Sequence, residues 1–219
     1  MKPARKPVIA IDGTFASGKG SLAKKLAAYF GYAYLDTGKL YRALALRALE
    51  AQADLGGGPS LAKLAVLIRP GELANPKLKS GAVGAAASKV AVHNEVRAAL
   101  KAYQVNFAHN PPKNVSGAVL DGRDIGTVIC PQAEVKLYID AKPQIRAERR
   151  YKELLSYGED ISLAQVLADL VERDRRDQNR AAAPLKPAVN AHLLDTTNLS
   201  IDAAFEQAKT LIMALLKPI

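Results

Sequence analysis

The stretch Val8-Ile9-Ala10-Ile11-Asp12-Gly13-Thr14-Phe15-Ala16-Ser17-Gly18-Lys19-Gly20-Ser21 decides the fold. After Pro7 comes an apolar, mostly β-branched run that stops at Asp12, the pattern of a short buried strand. Gly13 to Lys19 then reads GxxxxGK, and Leu22, Leu26, Tyr29 and Phe30 follow at helical spacing up to Gly31. Strand, glycine-rich turn and helix, in that order, form the context in which GxxxxGK holds phosphate. The glycines let the backbone wrap so that successive N–H groups point inward, and the helix N-terminus adds its positive dipole. Lys19 is expected to reach the β and γ phosphates of a nucleoside triphosphate. Gly20 stands where a Ser or Thr usually follows the lysine, so Ser21, one position later, is the candidate metal-side hydroxyl.

Working outward, Tyr32-Ala33-Tyr34-Leu35 reads as a second strand ending at Asp36-Thr37-Gly38, and Leu40, Ala43, Leu44 and Leu46 resume helical spacing. Ala118 to Leu120 and Val135 to Ile139 are two more short apolar runs, each followed by an aspartate. Helical stretches are expected from Ser88 to Phe107 as a single helix, from Pro143, and from Ile201 to Leu215. Residues 52–86, with Gly56-Gly57-Gly58-Pro59, Gly71 and Pro76, carry no clear pattern and read as a small lobe on flexible connections. Strands alternating with helices imply an α/β fold whose parallel sheet is covered on both faces.

The chain has 219 residues, 49% hydrophobic and 24% charged, enough to bury a core and too apolar for a disordered segment. One domain with an inserted lobe is expected. The formal net charge of +10 calls for an anionic partner: nucleic acid, membrane surface or phosphate ligand. All of it lies in residues 1–110, where folded sequence carries it, so a basic tail is not the source and many of these lysines read as a solvated face. Arg146 to Arg180 is instead dense in both signs. A single cysteine, Cys130, leaves no intrachain disulfide framework and fits a reducing compartment, with the cytoplasm as the default. The basic opening is followed by an apolar run too short for a leader or a membrane span. His93, His109 and His192 lack ligand spacing and read as surface or structural residues. Asp195 reads as a strand end or turn cap.

A phosphate loop alone says only that a nucleotide binds. Asp36, Thr37, Tyr41 and Arg42 form a polar cluster beyond the second strand, where ligands gather in open parallel sheets. Arg123 and Asp124 come just past another strand; a guanidinium suits a phosphate and a carboxylate suits a base amine. Surface ion pairs are the plain alternative for each residue, and convergence at strand ends argues against it.

The blocks GTFASGKGS, LDTGKLYRALAL, SKVAVHNEVRAAL, DGRDIGTVICPQAEVKLYIDA and RDRRDQNRAAAPLKPA together resemble the bacterial cytidylate kinases, in order and over nearly the whole chain. The resemblance implies a P-loop NTPase-type three-layer fold with a central parallel sheet, an acceptor-binding lobe over about residues 40–105 and a lid over about 146–180. It implies transfer of the ATP γ-phosphoryl group to CMP or dCMP with Mg²⁺, the ATP held by residues 13–21. By similarity Ser88, Arg97 and Asp124 contact cytosine. Arg42, Arg123 and Arg180 grip the acceptor phosphate with Arg173 similarly placed, Asp177 reaches the ribose, and Tyr41 packs beside them. Lys19, Arg42, Arg123 and Arg180 are the candidate catalytic residues. Fold analogy points to a monomer.

Departures from the family pattern are Thr14-Phe15 for a Pro-small pair, Lys39, Val105, Asn190 and a short region between about residues 50 and 85. Two other readings compete. A nucleic-acid-binding protein would use the positive charge, but aromatics are 5% and Trp is absent. Another small P-loop kinase would share the loop but not Gly122-Arg123-Asp124 with Ser88 and Arg97.

Overall fold

A computed structural model describes residues 6–216; the basic residues 1–5 weighed above as part of a leader lie outside them. The expected phosphate-loop unit forms as β1 (Val8–Gly13) and α1 (Lys19–Phe30), with Gly31 at φ 65 closing the helix. The other strands are β2 (Ala33–Asp36), β3 (Ala118–Gly122), β4 (Val135–Asp140) and β5 (His192–Asp195). They build a five-stranded sheet in the order β2-β3-β1-β4-β5, parallel throughout.

The helices that follow in the chain are α2 (Gly38–Glu50), α3 (Gly58–Ala65), α4 (Gly81–Val90), α5 (Asn94–His109), α6 (Pro143–Ser156), α7 (Leu163–Asn179) and α8 (Ile201–Leu215). The region expected to lack pattern therefore contains α3, two short 3₁₀ turns at Pro70–Ala74 and Pro76–Lys79, and the start of α4. The helix expected over Ser88–Phe107 is two helices, broken at residues 91–93, and Val92 is 40% exposed at the break. A tertiary bond anchors the break, the His93 Nε2–H donating to the Leu55 carbonyl at 2.8 Å, and locally Arg97 Nη1 donates to the Ala91 carbonyl at 3.3 Å.

The chain divides into two compact units. The first comprises the chain up to Asp36, Gln104–Arg146 and the chain from Leu185 onward. It holds the sheet, with Ile9, Ile11, Val119, Leu137 and Ile139 packed against Leu22, Leu26 and Ala27 of α1 and Ala208 and Ile212 of α8. Ala10 and Leu120, which alternate with these residues along their strands, are also fully buried, as expected for a sheet covered on both faces. β1 leads outward to β2 while β4 leads outward to β5, so the connections part beside Gly13, the switch point at which such sheets bind ligands.

The second unit, Thr37–Tyr103 with Ala147–Pro184, has its own core of Leu40, Leu44, Leu61, Val83, Val90, Val96 and Leu100. The stretches read as acceptor lobe and lid belong to it together. Glu159, past the Gly158 turn at φ 77, accepts from the Gly81 N–H at 2.7 Å and so caps α4. Arg150 donates to the Lys79 carbonyl at 3.3 Å. Among the described residues no helix is long and apolar enough to cross a membrane.

Candidate active site

The turn between β1 and α1 has the geometry of a phosphate loop. Gly13 is at φ 152, and a Cβ there would lie 2.0 Å from the Ile139 carbonyl oxygen, so only glycine lets the loop leave β1 against β4. Gly18 is left-handed at φ 87 where α1 begins. Ala16 is also at positive φ, 59, the kind of local strain that binding loops retain. Side chains brace the loop from within and from β4: Ser17 Oγ donates to the Thr14 carbonyl at 3.0 Å, and Thr14 Oγ1 donates to Asp140 Oδ1 at 2.6 Å. Arg146 Nη1 donates to the Phe15 carbonyl at 3.0 Å. Lys19 Nζ curls back to the Thr14 carbonyl at 3.3 Å, over the loop it is expected to serve. Ser21 is exposed in the first turn of α1, and Gly20 packs where a Cβ would come 3.3 Å from Asp121 Oδ2.

Every strand carries an aspartate at its C-terminal end: Asp12, Asp36, Asp121, Asp140 and Asp195. The register sets Asp36 beside Asp121 and Asp140 beside Asp195. Burial, reinforced by the Asp36 charge, pushes Asp121 up to about 7, while Lys19 and Arg123 pull it down. Tyr34 Oη donates to Asp121 at 3.3 Å, and burial with these carboxylates raises its own pKa. Asp12 is pushed up to about 6, mainly by burial and further by Asp124, against two backbone N–H bonds that hold it down. Asp195 is both a strand end and a turn cap, since its Oδ1 accepts from the Thr197 N–H at 2.8 Å. Asp12 and Asp121 escape the sequence reading as site residues; the signal was an acid ending each apolar run.

Arg123 and Asp124 follow β3, and Asp124 is buried at φ −146 before a single π-type turn, Ile125–Ile129. Arg123 Nη1 donates to the Gly122 carbonyl at 3.1 Å. In the second unit the other candidates gather in pairs. The Arg97 guanidinium lies 5.7 Å from the Tyr41 ring centroid, a cation–π contact. Arg42 Nη1 donates to the Leu78 carbonyl at 2.7 Å and its guanidinium lies against Gly84, whose carbonyl accepts from Arg173 Nη1 at 3.4 Å. Arg180 and Asp177 form a buried pair, Nη1 to Oδ1 3.6 Å, with Arg180 Nε donating to the Ala183 carbonyl at 2.7 Å. Thr37 is buried at the head of α2. Ser88 is buried on α4 and its Oγ has no hydrogen-bond partner among the described residues. A buried hydroxyl left so is unusual.

A family model described as cytidylate kinase matches residues 9–214. The chain belongs to the cytidylate kinase family. It is 52% identical over 208 residues to a cytidylate kinase of Rhodopseudomonas palustris, covering 95% of this chain and 96% of that one. A cytidylate kinase of Bradyrhizobium sp. is 51% identical over the same shares of both chains. Among solved structures, an uncharacterized protein from Eubacterium ventriosum shares the fold at a TM-score of 0.51 and 13% identity, covering 94% of this chain and 98% of that one. The fold is of the P-loop NTPase type, as the loop and sheet require. Cys130 is buried after the π-type turn, where it packs as a small apolar side chain.

Proposed function

We propose that this chain transfers the γ-phosphoryl group of ATP to CMP or dCMP, yielding ADP and CDP or dCDP. The observation that carries the reading is the glycine-bent loop after β1 with Lys19 folded over it, in a chain whose relatives of matching length are named cytidylate kinases. Residues 13–21 would bind the triphosphate. Lys19 would neutralise charge on the β and γ phosphates as an acceptor phosphate oxygen attacks the γ phosphorus and the bond to the ADP oxygen breaks. No strong general base is needed, because that oxygen is already ionised at neutral pH. Positioning and charge neutralisation supply the rate, with Arg42, Arg123 and Arg180 offsetting the mutual repulsion of two anions. Arg173 would join them at the acceptor phosphate, and Asp177 would accept from the ribose.

Base choice would rest on Asp124, which accepts from the exocyclic amine of cytosine and repels the carbonyl of uracil. Ser88 and Arg97 would complete the base contacts, and the unsatisfied Ser88 hydroxyl supports that role. Asp36 and Asp121, paired by register at the ends of β2 and β3, and the Ser21 hydroxyl in the first turn of α1 are all oxygen donors, the kind a hard divalent ion takes. These residues would hold Mg²⁺, which when bound supplies charge neutralisation on the phosphates. The stretch 146–180 would act as a lid that excludes water, and the enzyme would work in the cytoplasm as a monomer.

The test is ADP release with ATP and Mg²⁺ against CMP, dCMP, UMP, AMP, GMP and shikimate side by side. Turnover confined to CMP and dCMP is expected. Turnover with another acceptor would keep the loop and remove the cytosine assignment.

A further inference from the structure

Asp12 lies outside the residues given a part in the reaction, yet its carboxylate is built into the loop that carries two of them. It sits at the end of β1, one residue before the phosphate loop, and is 4% exposed. Its Oδ1 accepts from the Ile125 N–H and its Oδ2 from the Gly126 N–H, both at 2.8 Å. These are the first two donors of the π-type turn, which have no partner inside the turn. The turn is closed at its other end by the Asp124 carbonyl, which accepts from the Val128 N–H at 2.9 Å and the Ile129 N–H at 3.2 Å, and by Cys130 N–H to the Ile125 carbonyl at 2.7 Å. Asp124 therefore stands between two anchors: the amide after it is held by Asp12, and its own carbonyl is held by the turn. Its backbone, at φ −146 and ψ 24, belongs to neither helix nor strand, so no regular ladder would hold it otherwise. Gly126 leaves room for the clamp, since a Cβ there would come 3.2 Å from Lys136 Cδ and 3.4 Å from Asp12 Oδ2.

We infer that Asp12 is a positioning residue that fixes the aim of Arg123 and Asp124 at the acceptor nucleotide. This rests on the proposed reading of Asp124 as the group that recognises the cytosine amine. A carboxylate suits the post because it presents two acceptors to two adjacent N–H groups and has no donor to oppose either. Asparagine has the same shape but turns an NH₂ toward one of the two amides, so Asp12→Asn breaks half of the clamp at constant volume. A residue that merely stabilised the sheet would, when altered, affect both substrates or neither. One that aims Arg123 and Asp124 would affect the acceptor alone.

The experiment is steady-state kinetics of D12N with ATP and CMP varied in turn, and with UMP as the competing acceptor. The KM for CMP is expected to rise about 10-fold or more, with the CMP-over-UMP preference narrowed and the KM for ATP held within about twofold. A KM for CMP equal to that of the wild type, or equal rises for both substrates, would overturn the inference. Asp124→Asn, assayed alongside, tests the underlying reading. An unchanged CMP-to-UMP ratio in D124N removes that reading, whereas a collapsed ratio there with normal CMP kinetics in D12N removes the role of Asp12 alone. Should D12N not fold, hydrogen exchange in the wild type still decides. The Ile125 and Gly126 amides are expected to exchange as slowly as those of β1 and β3, and exchange at the rate of an open loop would overturn the clamp.

Discussion

Thr196 Oγ1 donates to the carbonyl of Ser17 at 2.8 Å and lies 3.1 Å from the carbonyl of Asp140, so one buried hydroxyl joins the turn after β5 to the phosphate loop. Thr196→Val keeps the shape and removes the donor. It is expected to cost about 1–2 kcal/mol, because a buried carbonyl then loses its partner. The KM for ATP should rise while that for CMP holds. Thermal unfolding and initial rates check both, and an unchanged KM for ATP would show that the loop does not depend on this tie.

Two glycines at positive φ separate steric need from conformational preference. At Gly13 a Cβ would meet the Ile139 carbonyl oxygen at 2.0 Å, whereas at Gly31, φ 65, nothing lies within 4 Å. Gly31→Ala should therefore cost only the left-handed penalty, about 1 kcal/mol. Gly13→Ala should cost on the order of 3 kcal/mol or more, since β1 and β4 must part to admit the methyl group. Urea unfolding of both variants ranks them, and equal losses would contradict the close approach.

Burial and Asp36 raise Asp121 from its ordinary value to about 7. A carboxyl whose folded pKa exceeds its unfolded one contributes stability that is full below pH ~4 and is lost as pH rises through about 7. At pH 8 the ionised Asp121 is therefore a cost. Asp121→Asn, whose Oδ1 still accepts from Tyr34, should be more stable than the wild type there by on the order of 2 kcal/mol. The gap should close as pH falls to 5. Denaturant melts of the two proteins across that range test the sign, and a gap that widens toward pH 5 would refute it.

What could be read in advance divides along the same physical line. The β1 loop and its helix are local: apolar run, glycines and lysine lie within about twenty residues, and each enforces its own conformation. So too the aspartates ending each strand were visible, but nothing local says that Asp36 faces Asp121, because strand register brings them together. The break at Ala91–His93 stayed hidden since neither Gly nor Pro marks it, and it is set instead by His93 reaching Leu55. Likewise β5 has no alternating face, with Leu193 71% exposed at the sheet edge, and exists through its pairing with β4. Of the candidate residues in the second unit, their types were legible and their partners were not. Arg42 and Arg173 both reach Gly84, a convergence that no spacing announces.

Asn190 accepts through Oδ1 from Lys136 Nζ at 2.9 Å, and the same ammonium donates to the Pro131 carbonyl at 2.6 Å. Lys136 is a buried cation on β4 held here by two neutral oxygens. Hydrogen bonds to charged groups gain when both partners are charged, so Asn190→Asp is expected to stabilise the fold by about 1 kcal/mol above pH 5. The gain should vanish on acidification below the carboxylate range. Calorimetry at pH 7 and pH 3.5 reads both, and a destabilised variant at pH 7 would show that the ammonium is already satisfied.

Ser88 tests the site from the opposite direction. Its hydroxyl is buried on α4 with no hydrogen-bond partner among the described residues, so the folded chain carries its desolvation cost without return. Removing it should not harm the fold: Ser88→Ala is expected to be as stable as the wild type or more so by up to about 1 kcal/mol, helped by the better helix propensity of alanine. If the hydroxyl is kept for a ligand, the same variant should weaken CMP, raising its KM about 10-fold with the KM for ATP unchanged. Stability held or gained together with acceptor affinity lost is a combination that a packing residue does not produce, because truncating a packing residue lowers stability first. Thermal melts paired with CMP and ATP titrations of the rate would show it. A destabilised S88A with normal CMP kinetics would assign Ser88 to the core and withdraw it from the acceptor site.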